Sequence, residues 1–209
     1  MIKSFFADII DLVLPPRPTE RMVRSLDIEI LQSLHIDISK FQPQGLLPYH
    51  DPRVTALVWE LKYHGTRRSA ALAGEYMAEV LLAAASEELG TPLLVPVPMH
   101  AARRRERGHN QTELLCEAAL KHVENTFEYA PKVLVRTINT KTQQGLPRAE
   151  RLKNIKNSMT AGPDAQKIKG RVCIVVDDVT TTGATLEEAK RALKAAGARA
   201  VHTIALARS

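Results

Sequence analysis

Residues Val172 to Thr185 read VCIVVDDVTTTGAT. An apolar, β-branched run of this kind is the pattern of a strand buried on both faces. It ends on two adjacent acids, Asp177 and Asp178, and passes into a turn made of threonines and one glycine. The stretch that follows, TLEEAKRALKAAG, has helical spacing. A buried strand turning directly into a helix is one unit of a parallel α/β sheet. Sheets of that kind take ligands in the crevice beyond the carboxyl ends of their strands. Acids and threonines at this place are therefore candidates for ligand contact.

The chemistry of the two groups differs. A turn leading into a helix exposes unpaired backbone N–H groups, and the helix start carries partial positive charge. That suits a phosphate. Thr180, Thr181, Thr182 and Thr185 add hydroxyl donors, Gly183 allows close backbone approach, and Ala184 lies within the same turn. The acids would repel a phosphate, so they need another part of the ligand. Vicinal sugar hydroxyls are good donors to carboxylates. A diol a few ångströms from a phosphate is a ribose 5-phosphate. The plainer alternative is a strand ending in surface acids with a threonine helix cap. A nucleotide-hydrolysing site is a weaker rival, because no G-x-x-x-x-G-K-[ST] motif occurs in the chain.

The rest of the chain supports an α/β fold. PLLVPVPM and KVLVRTI read as strands, and AVHTIALAR as the last one. PRVTALVWELKYHG, SAALAGEYMAEVLLAAASEELG and NQTELLCEAALKHV read as helices. Residues 1–14 read as a short amphipathic helix closed by prolines, and residues 19–48 are mixed. The division predicted is a small N-terminal helical appendage, residues 1–49, and a main domain, residues 50–209. Three loops should face one crevice: those after Val97, after Ile138 and after Asp178. The chain is 44% hydrophobic, which allows a normal core, and only 4% aromatic, which speaks against a base-stacking platform as its main feature. A net charge of +6 suggests anionic partners. No run is long enough to span a bilayer, and Asp8 and Asp11 interrupt the one stretch that resembles a signal peptide. A cytoplasmic location is the default expectation. Cys116 and Cys173 give neither a disulfide framework nor a zinc pattern.

The motif VVDDVTTTGAT resembles the phosphoribosyl pyrophosphate (PRPP) loop of type I phosphoribosyltransferases. LLVPVPMHAARRRERGHNQTELLCEA, RTINTKTQQGLPRAERLKNIKNSM, DPRVTALVWELKYHG and IIDLVLPP narrow the resemblance to the ComF competence-protein family. The resemblance implies that Asp177 and Asp178 hold the ribose hydroxyls and take part in catalysis. It gives them a place at a magnesium ion, directly or through water. It assigns the 5-phosphate to Thr180 through Thr185, with Thr181, Thr182, Gly183 and Ala184 between. Most relatives carry a four-cysteine zinc module after the opening prolines. Here that place reads RPTER, so no zinc is expected.

Two further loops follow from the same resemblance. RRRERGHN reads equally as a solvated basic surface and, from its position at the crevice, as an anion site, since arginine forks bind phosphate oxygens in pairs. Arg107, Gly108, Asn110 and Gln111 match the pyrophosphate side. Arg103, Arg104 and Arg105 are the candidates for contact with single-stranded DNA, because ComF relatives are linked to natural transformation. Gln144, Leu146, Arg148, Arg151 and Asn154 match a mobile loop that closes over PRPP. Three functions stay open: a phosphoribosyltransferase with an unknown acceptor, a DNA-binding module modulated by PRPP, and a PRPP sensor without turnover. Lys62 and Tyr63 match the family without an assigned chemistry. His64 reads as a capping or surface residue, and Trp59, the only tryptophan, as core.

Overall fold

A computed structural model describes residues 16–36, 44–86, 88–139 and 155–209. The first helices are α1 (Pro18–Arg24) and α2 (Ile28–Ser33). There follow β1 (Gln44–Pro48), α3 (Pro52–Tyr63), α4 (Arg67–Ser86), β2 (Leu93–Pro96), α5 (Ala101–Arg107) and α6 (Gln111–Ala119). The short strands β3 (Glu128–Tyr129), β4 (Leu134–Arg136) and β5 (Met159–Ala161) come next. The chain closes with β6 (Val172–Thr180), α7 (Ala184–Ala195) and β7 (Ala200–Arg208).

Five strands form one sheet in the order β1-β7-β6-β2-β3, and all four pairings are parallel. Helices cover both faces, so the expected parallel-centred α/β architecture is the one observed. The alternation of side chains along each strand divides the core in two. Leu94, Ile174, Val176, Ile204 and Leu206 pack with α3, α4 and α6 on one face. Leu93, Val95, Cys173, Val175 and Ala205 pack with α7 on the other. Burial on both faces is why β6 reads as an unbroken apolar run.

Three expectations need correcting. KVLVRTI does not join the central sheet: β4 pairs antiparallel with β5 in a separate two-stranded sheet. Glu188 and Arg191 of α7 hold that sheet by hydrogen bonds to the backbone of Met159. RRRERGHN is no loop after a strand. It forms most of α5, which starts on the His100 side chain and stops at Gly108, whose φ is 84°. Trp59 is not core, being 45% exposed.

The N-terminal region is packed on the main core rather than held by its own residues alone. Val23, Leu26 and Leu31 of this region are buried in the same cluster as Leu57 and Leu61 of α3. Residues 44–48, counted with the appendage on sequence grounds, supply edge strand β1 of the central sheet, paired with β7. The helix expected at residues 1–14 and the loop residues Gln144, Leu146, Arg148, Arg151 and Asn154 lie outside the described residues. Among the described residues no helix is long and apolar enough to cross a membrane.

Candidate phosphosugar site

A cavity of about 460 Å³ opens beyond the carboxyl ends of β2 and β6, the central pair of the sheet. Asp177 and Asp178 are on its floor, and residues 179–185 form one wall. The two acids are 6% and 5% exposed. Period-two alternation sends them to opposite faces of the sheet. Asp178 turns to the α3 face, where Lys62 Nζ lies 3.1 Å from its Oδ2. Asp177 turns to the α7 face, toward the charge of Arg136 at the end of β4. Each carboxylate also accepts a hydrogen bond from the next residue's backbone: Asp178 N–H to Asp177 Oδ1 at 2.9 Å, and Val179 N–H to Asp178 Oδ1 at 2.8 Å.

The electrostatics of this floor are strained. Burial, with the neighbouring Asp178 charge added, pushes the Asp177 carboxyl up to about 8. Burial alone would lower the Lys62 ammonium, but the charges of Asp178 and Asp177 outweigh it and raise the pKa. Arg136 is the reverse case. Its burial lowers it, the Asp177 charge opposes this, and the nearby Arg103 lowers it further. Among the described residues Arg136 Nε is buried and without a hydrogen-bond partner. An anion in the cavity would supply an acceptor for it.

The turn is built as a phosphate cradle needs it. Gly183 has φ 81°, a left-handed conformation that a β-carbon would oppose, and it stands at the start of α7. Among the described residues no side chain caps this helix well. Thr182 Oγ1 accepts from Ala184 N–H at 3.4 Å, and the described residues offer the other first-turn N–H groups no side-chain acceptor. Thr181 is exposed, Thr182 and Thr185 are half-buried, and Thr180 is buried as the last residue of β6. Two oxygen-donor acids beside an anion cradle also fit a hard divalent cation carried by a phosphate ligand.

Arg107, Asn110 and Gln111 line the cavity; Gly108 does not. Asn110 is only 2% exposed and works largely for the fold. It caps α6 by accepting from Thr112 N–H, and its amide donates to Val97 O. Gln111 Oε1 accepts from Arg107 Nη1 at 3.0 Å and so steadies that arginine. Of the three other arginines, Arg103 lines the cavity. Arg104 turns to Glu113 in a two-pronged pair at 2.6 and 2.7 Å. Arg105 is exposed and not among the lining residues. His64 stands at the C-terminal cap of α3.

Residues 67–209 match the phosphoribosyl transferase domain family. Over 164 residues the chain is 34% identical to the DNA utilization protein YhgH of Salmonella typhi, covering 77% of this chain and 69% of that protein. Over 116 residues it is 31% identical to competence protein F of Haemophilus influenzae, covering 56% of this chain and 50% of that one. The chain belongs to the ComF family of phosphoribosyltransferase-fold proteins. A solved hypoxanthine phosphoribosyltransferase from Staphylococcus aureus superposes with a TM-score of 0.41 at 9% identity, over 67% of this chain and 63% of that one.

Within this ComF-family chain, the cavity residues that sequence reasoning missed include Tyr49, His100, Thr112, Arg136 and Ser209. Ser209 is held there by its N–H, which donates to Thr180 O. It also gave no chemistry to Lys62. KVLVRTI carried the one usable signal, an arginine at the end of an apolar run, which is an expensive place for a charge unless it has a task.

Proposed function

We propose that this ComF-family protein binds PRPP with magnesium in the cavity beyond β2 and β6, and transfers the phosphoribosyl group to an acceptor in the course of DNA uptake or utilization. One observation carries the reading: two buried acids and an uncapped, threonine-lined helix start share one cavity with three half-buried arginines. In this reading Asp177 and Asp178 hold the ribose diol, and residues 180–185 hold the 5-phosphate. Arg103, Arg107 and Arg136 are the cations available to the departing pyrophosphate. Magnesium, held by the two acids directly or through water, would neutralise charge on the pyrophosphate. Lys62 must give up part of its hold on Asp178 when the ligand's hydroxyls arrive. The names of the relatives support the link to DNA.

The test is mass spectrometry of a metabolite pool incubated with protein, PRPP and magnesium. A new phosphoribosylated product, absent with Asp177→Asn/Asp178→Asn, is expected. PRPP that is bound but never consumed would leave a sensor and remove the transferase.

A second reading has its own observation. Helix α5 carries four arginines against one glutamate, and two of those arginines line the cavity. That is the charge pattern of a site for single-stranded DNA, with affinity that falls as salt rises. Fluorescence anisotropy of a labelled oligonucleotide at two salt concentrations checks it, and salt-independent or absent binding counts against it.

A further inference from the structure

Trp59 and Tyr63 are 45% and 46% exposed in a chain whose aromatic content is only 4%. They lie one turn apart on α3, and their rings meet with centroids 4.3 Å apart at 44°. The Arg107 guanidinium lies 5.2 Å from the centre of the Tyr63 ring, and Gln111 holds that arginine. The three side chains make one continuous shelf. Its inner part, Tyr63 and Arg107, lines the cavity; Trp59 lies beyond the lining. The position is not a residue of core packing. The buried face of α3 carries Leu57, Val58 and Leu61, and Trp59 and Tyr63 face away from it. The other exposed large apolar residues among those described, Leu82, Leu89 and Ile138, are aliphatic.

We infer that this shelf is a stacking surface for bases of single-stranded DNA. The inference rests on the second reading above and assigns it a place. A π-face with an arginine beside it takes any base, since stacking does not depend on base identity. Two features favour a strand over a free heterocycle. The ring surface leads out of the cavity, so a ligand confined there would leave Trp59 unused. Arg103, four residues before Arg107 on the same face of α5, adds a second cation on that side for a phosphate backbone, whereas Arg104 is committed to Glu113. The DNA contact is therefore shifted from the arginine run alone to α3 and the last turn of α5.

Trp59 is the only tryptophan, so its emission reports on this surface alone. The experiment titrates the protein with oligothymidylate, with an abasic oligomer of equal length, and with free thymidine at matched base concentration. Oligothymidylate should quench Trp59. The abasic strand should bind about tenfold more weakly without quenching, and thymidine should not quench. Tyr63→Leu should weaken oligothymidylate binding by a similar factor, read by anisotropy, with an unchanged thermal melt. If both oligomers bind equally without quenching, the shelf is overturned while the DNA reading stands. If neither oligomer binds, that reading falls and the shelf with it. If thymidine quenches as strongly as the strand, the surface takes small heterocycles, and the strand assignment is wrong.

Discussion

Helix α3 carries two ionic links two residues apart, on different sides of the helix, and they are opposites. Glu60 is fully buried. It accepts from Arg17 Nη2 at 2.9 Å and from Thr19 Oγ1 at 2.6 Å, which ties the N-terminal region to the core. Burial alone would raise its pKa, but those hydrogen bonds and the Arg17 charge outweigh it and hold the carboxyl below its ordinary range. Two residues on, Lys62 reaches Asp178 at the cavity floor. There the neighbouring Asp177 carboxyl is pushed up, chiefly by burial and then by Asp178. Both acid sites are buried, yet one is satisfied by the chain itself and the other is not. A carboxylate whose partners are all internal serves the fold. A pair held at a cavity floor, with few partners among the described residues, is the pattern of a site rather than of a structural link.

The largest expected effect is on the satisfied side. Arg17→Ala with Thr19→Ala leaves Glu60 buried without its partners and should cost about 3 kcal/mol in a urea melt. Replacing Arg17 and Glu60 together by leucine should cost clearly less, because no buried charge is stranded. Equal losses in the two doubles would mean that Glu60 is no better satisfied than the site acids.

On the unsatisfied side the sign reverses. Asp177→Asn removes a buried like-charge repulsion and should stabilise the ligand-free protein by about 1 kcal/mol near pH 8. A loss of stability would show that the acid is structural, like Glu60.

The last comparison is a slope rather than a single difference, the pH dependence. Asp177 is raised in the folded state, to about 8, so folded protein holds a proton that unfolded protein has lost. Stability should therefore decline as pH climbs from about 4 toward 8, and Asp177→Asn should flatten that decline. Glu60 is lowered in the folded state, so its contribution is present above the ordinary glutamate range and is lost as pH falls below it. Thermal melts across pH for wild type and Asp177→Asn separate the two slopes.

This contrast also explains what could be read from sequence. Asp177, Asp178 and residues 180–185 form one local βα turn, so their chemistry and their position appear in a single stretch. The α/β class was legible because β6 and β7 are long and apolar. Lys62, Arg136 and Tyr49 reach the same cavity from three separate elements, and no local pattern announces such a meeting. Strands β1 and β3 escaped notice for another reason. β3 has two residues, and β1 begins Gln-Gly, so neither shows periodicity. Trp59 was misread because apolar residues are usually buried, and exposure depends on which face of α3 meets α4 and the N-terminal helices. The arginine run was read as a loop because charge hides helical spacing. In the structure, the His100 cap and Gly108 bound a seven-residue helix.

The central claim is that the acid pair and the threonine turn form a PRPP site. The most direct measurement is a thermal melt of wild type and of Asp177→Asn/Asp178→Asn, each with and without PRPP and magnesium. At about 100 times its dissociation constant the ligand should add roughly 2.7 kcal/mol to the wild type. For a domain of this size that is a rise of about 2–4 °C or more in the midpoint. The amides cannot replace two charged acceptors, so the double variant should fold and show no rise. No rise in the wild type, or an equal rise in both proteins, would contradict the claim.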